Sequence, residues 1–124
     1  MRRIAALGAV VLLAAMASQA YAGDEWRGAD TAREAVFLTL YMLDWGQTRT
    51  IARHPERRSE ANAFLGEHPS AGRVDRYFAV TALAHVGVAY VLPSSWRAGF
   101  QYITIGIELS TVNRNRHLGI AVDF

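Results

Sequence analysis

Ile103-Thr104-Ile105-Gly106-Ile107-Glu108-Leu109-Ser110 can be read two ways, and the choice decides the fold. Large apolar residues alternate with Thr, Gly, Glu and Ser, a period-2 pattern rich in β-branched side chains that suits a strand. Asn113 to Arg116 could then turn the chain, and Leu118, Ile120, Val122 and Phe124 alternate again as the second arm of a hairpin. A closed barrel needs at least about eight strands, and only two such stretches exist. The same residues also fit a helix. Phe100, Ile103 and Ile107 recur at helical spacing, as do Gln101 and Glu108, and Ser94-Ser95-Trp96 is a good helix start. The reading adopted is a helix from Trp96 to about Asn113, with Leu118 to Phe124 as an extended tail. The alternative is two helices followed by a C-terminal β-hairpin.

Upstream, Pro and Gly punctuate two further helices. Asp30 and Thr31 can cap a helix that runs from Ala32 to about Ala52 and ends before Pro55. Residues 55–70 form a charged connector, with a helical turn expected near Ser59 to Leu65. A second helix runs from about Gly72 to Leu92 and stops at Pro93; between Tyr77 and Leu92 its one strongly polar side chain is His85. The predicted fold class is all-α, a three-helix membrane bundle in a single domain covering 23–124.

Residues 1–22 read as an export signal. Met1-Arg2-Arg3 is a positive start, Ile4 to Met16 is apolar apart from one Gly, and Ala20-Tyr21-Ala22 followed by Gly23 fits a signal-peptidase site. The alternative is an uncleaved signal anchor, since Ile4 to Ala22 approaches a membrane span in length. The chain has 124 residues, too few for a second domain. It has no Cys, which excludes disulfides, thiolate metal sites and cysteine catalysis. Its formal charge of +2 comes from thirteen Arg against eleven acids, and removing Arg2 and Arg3 leaves eleven against eleven. A neutral chain offers no footprint for nucleic acid.

The Arg residues are distributed unevenly. If the three helices cross a bilayer with the start of the first outside, Arg49, Arg53, Arg57, Arg58, Arg73 and Arg76 lie inside as topology determinants. Arg114 and Arg116 join them, leaving Arg27, Arg33 and Arg97 outside. The positive-inside rule predicts this skew, and Trp26, Trp96 and Tyr90 fall near the outer interface, where aromatic residues gather. The expected location is the bacterial inner membrane, with the periplasm as alternative. The expected partners are the lipid bilayer and a homo-oligomer or larger membrane complex.

Polar residues within apolar helices are the candidates for chemistry. Asp44, Gln47 and Thr48 share one helical face. His85 and Glu108 come to similar depth in the proposed topology, so the five form a candidate buried polar network. Such groups face the bundle interior because exposure to lipid is costly. Interhelical hydrogen bonding is the expected role; a proton or ion site, or an enzyme using Asp44, His85 and Glu108, is the sharper alternative. No spacing motif supports a metal, no cofactor is implied, and there is no phosphate loop or serine elbow.

Asp44-Trp45-Gly46-Gln47-Thr48, then Glu60-Ala61-Asn62-Ala63-Phe64-Leu65-Gly66 and His68-Pro69-Ser70, resembles a pattern in small uncharacterised bacterial and phage-borne multi-pass membrane proteins. Those show an Asp-x-x-(Gln/Thr)-Thr helix, a Glu-x-Asn-Pro-(Ile/Leu)-Leu-Gly connector and two further apolar helices. The resemblance covers roughly Ala35 to Leu92, with Ala63 where the pattern has Pro. It implies that Asp44, Gln47, Thr48, Glu60 and Asn62 belong together. Asn62 can turn the connector, and Glu60 is placed to accept from Arg49 or Arg53. The expected function is a small inner-membrane protein with a structural or interaction role, the rival being a soluble periplasmic helical binding protein.

Overall fold

A computed structural model of the protein describes residues 25–124, so the expected signal segment lies outside the described residues. Among them are three helices and no strand: α1 (Gly28–Arg53), α2 (Ala71–Val91) and α3 (Ser94–His117). The chain is an all-α bundle, and the hairpin alternative falls away. Ile103, Ile107 and Leu109 stay more than half exposed, whereas Thr104 and Glu108 turn inward. The alternation in 103–110 therefore marks no strand face. The informative period lies in the polar residues instead. Arg97, Gln101, Thr104, Glu108, Thr111 and Asn115, spaced 4-3-4-3-4, are all buried or half-buried. From α1, Asp30, Glu34, Phe37, Tyr41, Asp44, Thr48 and Ile51 form the facing stripe at the same alternating intervals.

Local chemistry sets the helix ends. α1 starts at Gly28, ahead of the predicted cap, and Asp30 sits in its first turn with its carboxylate accepting the Arg27 N–H at 2.9 Å. Ser70 caps α2, its hydroxyl accepting from the Arg73 N–H at 3.2 Å. α3 begins directly behind Pro93, with Ser94 as its first residue. It closes at Leu118, where Gly119 takes a positive φ of 72° and its N–H bonds the Arg116 carbonyl. The connector is a series of turns with no helix.

α1 packs against both other helices, while α2 and α3 touch each other little. The apolar core lies between α1, α2 and the connector: Phe37, Tyr41, Leu65, Val74 and Phe78, with Trp45 and Tyr77 against them. The exterior is also apolar. α2 turns Ala79, Val80, Leu83, Ala84, Val86, Gly87 and Tyr90 outward, Leu83 being 75% exposed. α3 does the same with Trp96, Tyr102, Ile103, Ile107 and Leu109. By mean hydropathy, no described helix is long and apolar enough to cross a membrane.

After the turn at Leu118 and Gly119, residues 120–124 run along the second half of α1. The Thr50 hydroxyl donates to the Ala121 carbonyl at 2.6 Å, the Asp123 N–H donates to the Gly46 carbonyl at 3.1 Å, and Arg53 pairs with Asp123. Phe124 sets its ring edge-on to Trp45. Gly46 makes this approach feasible, because a Cβ there would overlap Val122 and crowd the Asp123 backbone. Gly46→Ala is therefore expected to dislodge the tail and cost about 1–3 kcal/mol. Gly87→Ala, whose Cβ meets nothing, should stabilise by about 0.5–1 kcal/mol. Thermal unfolding, with limited proteolysis of 118–124, measures both.

Candidate functional site

The polar stripe of α3 and the facing stripe of α1 build two clusters in the bundle interior. The first lies where α1 begins and α2 ends. Arg97, 1% exposed, donates from Nε to the Ala89 carbonyl at 2.7 Å and from Nη2 to the Leu92 carbonyl at 3.0 Å, so it satisfies carbonyls left open at the end of α2. Its Nη1 pairs with Asp30 at 3.0 Å, and the guanidinium lies over the Trp26 ring. Arg33 pairs with the other Asp30 oxygen and donates to Gln101 Oε1 at 2.8 Å. Gln101 Nε2 donates to Glu34 Oε2 at 2.8 Å, and Glu34 Oε1 holds His85 Nδ1 at 2.7 Å. His85 Nε2 lies 2.8 Å from the Thr104 hydroxyl, with the imidazole stacked between Phe37 and Phe100.

The second cluster lies in the second half of α1. Thr48 donates to Asp44, Asn115 donates to Gln47 Oε1 at 3.1 Å and more weakly to Asp44, and Gln47 donates to the Val112 carbonyl at 3.2 Å. The Glu108 carboxyl lies against Asp44, and Tyr77, Tyr41 and Glu60 are close enough to interact electrostatically with the pair. In the connector, Asn62 is the knot. Its amide donates to the Tyr77 hydroxyl at 2.9 Å, its side-chain oxygen accepts the Phe64 N–H, and its own N–H donates to Glu60 Oε1. Ala63 thus leaves the turn formed by Asn62 intact. Glu60 Oε2 and Glu108 Oε2 are buried without a hydrogen-bond partner.

The structure divides what the sequence reading had grouped. Asp44, Gln47, Thr48 and Glu108 come together, with Glu60 and Asn62 adjoining, but His85 belongs to the other cluster and pairs with Glu34. The reason is axial: Glu34 and Asp44 share one stripe but lie ten residues apart, and the antiparallel register that sets Trp45 against Asp75 and Tyr41 against Thr81 brings His85 to the level of Glu34. Glu60 takes neither Arg49 nor Arg53, because Arg49 pairs with Asp75 and Arg53 with Asp123. Arg73 donates to the Phe64 carbonyl and Arg58 to the Leu118 and Gly119 carbonyls. Arg57 makes an exposed contact with Glu56 of little energetic value, and Arg76 is exposed. Arg97, expected to reach the outer interface, is instead among the most buried side chains. Glu34, Gln101 and Asn115 went unnoticed as site residues, although the 4-3 spacing of polar residues from Arg97 to Asn115 was there to find them.

A cleft of about 180 Å³ opens between α2 and α3, lined by Phe37, Tyr41, Thr81, His85, Thr104, Ile107 and Glu108. It lies between the two clusters. Among the described residues, no group of three or more acids and histidines could hold a metal ion. Comparison of the chain with protein-family models, with curated proteins and with solved structures returns no match.

Two aspartates near the helix ends respond to pH. Burial works against the Asp30 charge, but the Arg27 N–H, Arg97 and Arg33 outweigh it and hold the carboxyl below its ordinary 3.8. The Arg49 guanidinium, then the Trp45 indole N–H, hold Asp75 below the same value. Both folded-state values are depressed, so their stabilisation is complete above the ordinary value. It is lost as pH falls through the lower folded ones. Melting temperature should therefore drop on acidification below 3.8, and Asp75→Asn should flatten that drop. Arg97→Leu, which removes one of the two guanidinium partners of buried Asp30, is expected to cost about 3–5 kcal/mol, and the double variant with Asp30→Asn to cost less. Denaturant titration of both variants measures the difference.

Proposed function

We propose that the chain is a small integral membrane protein of the bacterial inner membrane, serving as a structural or interaction component. The supporting observation is inverted polarity. α3 turns Arg97, Gln101, Thr104, Glu108, Thr111 and Asn115 inward and an apolar face outward. On α2, no charged side chain lies on the outer face beyond Arg76. A shallow, mostly apolar groove of about 410 Å³ along α1 and α3, lined by Ala35, Val36, Thr39, Leu40, Ile105 and Leu109, suits an acyl chain.

Mean hydropathy averages both faces of a helix and so counts polar groups that lipid would never meet. Helix length is a separate matter. Helices of 26, 21 and 24 residues span about 39, 31 and 36 Å, enough for a hydrocarbon layer of about 30 Å. Residues 34–48, 77–92 and 98–112 are the embedded parts in this reading. The uncharged outer band is shorter than the helices, and snorkelling by Arg76 with local thinning of the bilayer covers the difference. The fold also gathers eight Arg at one end of the bundle (Arg49, Arg53, Arg57, Arg58, Arg73, Arg76, Arg114 and Arg116). Arg27, Arg33 and Arg97 are left at the other, in keeping with the positive-inside rule. Saturated interhelical hydrogen bonding in the first cluster suits a packing role.

Carbonate extraction of membranes tests the proposal: the chain should stay with the lipid, and release into the supernatant would favour the soluble periplasmic reading. Leu83→Arg sharpens the test. A charge on that 75% exposed face should impair membrane integration, whereas a soluble bundle would accept it within about 0.5 kcal/mol.

A further inference from the structure

We propose that residues 4–22 remain part of the mature chain as a fourth helix, seated in the groove between α2 and α3. This deepens the bilayer reading, on which it rests, and takes the signal-anchor alternative for the N-terminus.

Only Leu92 and Pro93 join α2 to α3, yet the two helices touch each other little. The groove between them has α1 as its floor, with Phe37 and Tyr41 at the bottom of the cleft. Helical phase identifies its walls. Phe100 stacks on His85 and Ile107 lines the cleft, so Phe100, Ile103 and Ile107, at intervals of three and four, form the α3 wall. On α2, Thr81 lines the cleft, Ala84 and Val88 continue its row, and Val80 stands at the rim. None of these wall residues is charged, and Val80, Ile103 and Ile107 are each more than half exposed. In the bilayer reading this groove opens on lipid, although the cleft within it carries Thr81, His85, Thr104 and Glu108. Polar groups at that depth belong in a bundle interior. A helix laid along the groove puts them there.

The chain itself supplies that helix. Residues 4–22 are 19 residues without a charge, about 28 Å as a helix and close to the hydrocarbon thickness of about 30 Å. Eight of them are Ala and one is Gly, a composition that lets helix backbones approach closely in lipid. The described residues fix where the segment must end. Arg97 Nη1 donates to the Glu25 carbonyl at 3.2 Å, and the Trp26 ring stacks on Tyr90 with centroids 6.2 Å apart. Arg97 lies in the first turn of α3 and Tyr90 in the last turn of α2, so Glu25 and Trp26 are held at the mouth of the groove. Residues 23–24 reach about 7 Å, which leaves residue 22 beside that mouth. A helix running back from there along the groove brings Arg2 and Arg3 to the end that already gathers eight Arg, as the positive-inside rule requires. The short tether also gives the segment an effective concentration of about millimolar at the groove, which favours it over a second copy of the chain.

The test uses the full chain in bacterial membranes. The mass of the extracted wild-type protein should include residues 1–22; a chain beginning at Gly23 would overturn the proposal, and this measurement needs no variant to fold. Because the protein has no Cys, paired cysteines then report the seat. Ala14→Cys, Ala15→Cys, Met16→Cys and Ala17→Cys cover one helical turn at about the depth of Ile103. Each is combined with Ile103→Cys in the α2–α3 groove or with Val36→Cys in the groove between α1 and α3. On oxidation with copper phenanthroline, at least one position should form an intramolecular disulfide with Ile103→Cys at least about tenfold faster than any does with Val36→Cys, since the bond requires Cα atoms within about 7 Å. Faster bonding to Val36→Cys, no intramolecular bond to either, or a bond between two chains in its place would overturn the proposal. Carbonate extraction separates the two readings. Release of the chain is a failure of the bilayer reading, whereas a carbonate-resistant chain beginning at Gly23 is a failure of this inference alone.

Discussion

Six successive inward positions of α3 carry hydrogen-bonding side chains, and the buried ones, Arg97, Gln101 and Asn115, must find their partners within the protein. The cost of leaving one such group unpaired, about 1–3 kcal/mol, is comparable to what most single contacts contribute. The bundle is arranged around that demand. Arg97 answers it at one end by joining open carbonyls of α2 to the carboxylate of Asp30. Gln101 bridges Arg33 and Glu34, and Asn115 does the same for Gln47 and Asp44 at the other end. α1 supplies most of these partners, in keeping with its close packing against α3, while α2 and α3 remain apart. The cleft lined by His85, Thr104 and Glu108 is the space left by that asymmetry.

The aromatic residues complete the same division of labour. Phe37, Tyr41, Phe78 and Trp45 stack through the part of the interior where the polar stripes give way to the connector. Leu65 and Val74 close it from below. Packing of this kind is non-directional, so it tolerates small shifts. The polar seam does not, and it fixes the rotation of α1 against α3.

How much of this was legible in the sequence depends on whether the cause was local. Pro55, Pro93 and the run between them and their neighbours fixed the helices to within a few residues, because a missing N–H acts on the adjacent turn alone. Asn62 was legible as a turn residue for the same reason. The segment 103–110 was ambiguous because attention goes first to apolar spacing, and there the isoleucines happened to alternate. Pairings between helices were beyond reach of residue type: His85 could face Asp44 or Glu34, and only the axial register of α2 against α1 selects the latter. Arg97 was misplaced because an arginine is normally a surface residue, and its burial depends on the carbonyls of Glu25, Ala89, Tyr90 and Leu92 and the carboxylate of Asp30, contributed from the start of α1 and the end of α2.

The alternating intervals of the two facing stripes also constrain how such a chain can vary. One residue inserted into α1 or α3 would rotate everything beyond it by about 100° and carry half the seam out of phase. Seven residues, two turns of helix, would restore the phase almost completely. Length change in these helices is thus quantised: viable relatives would differ by whole heptads there, while single-residue gaps would collect in the connector, where no seam has to be kept.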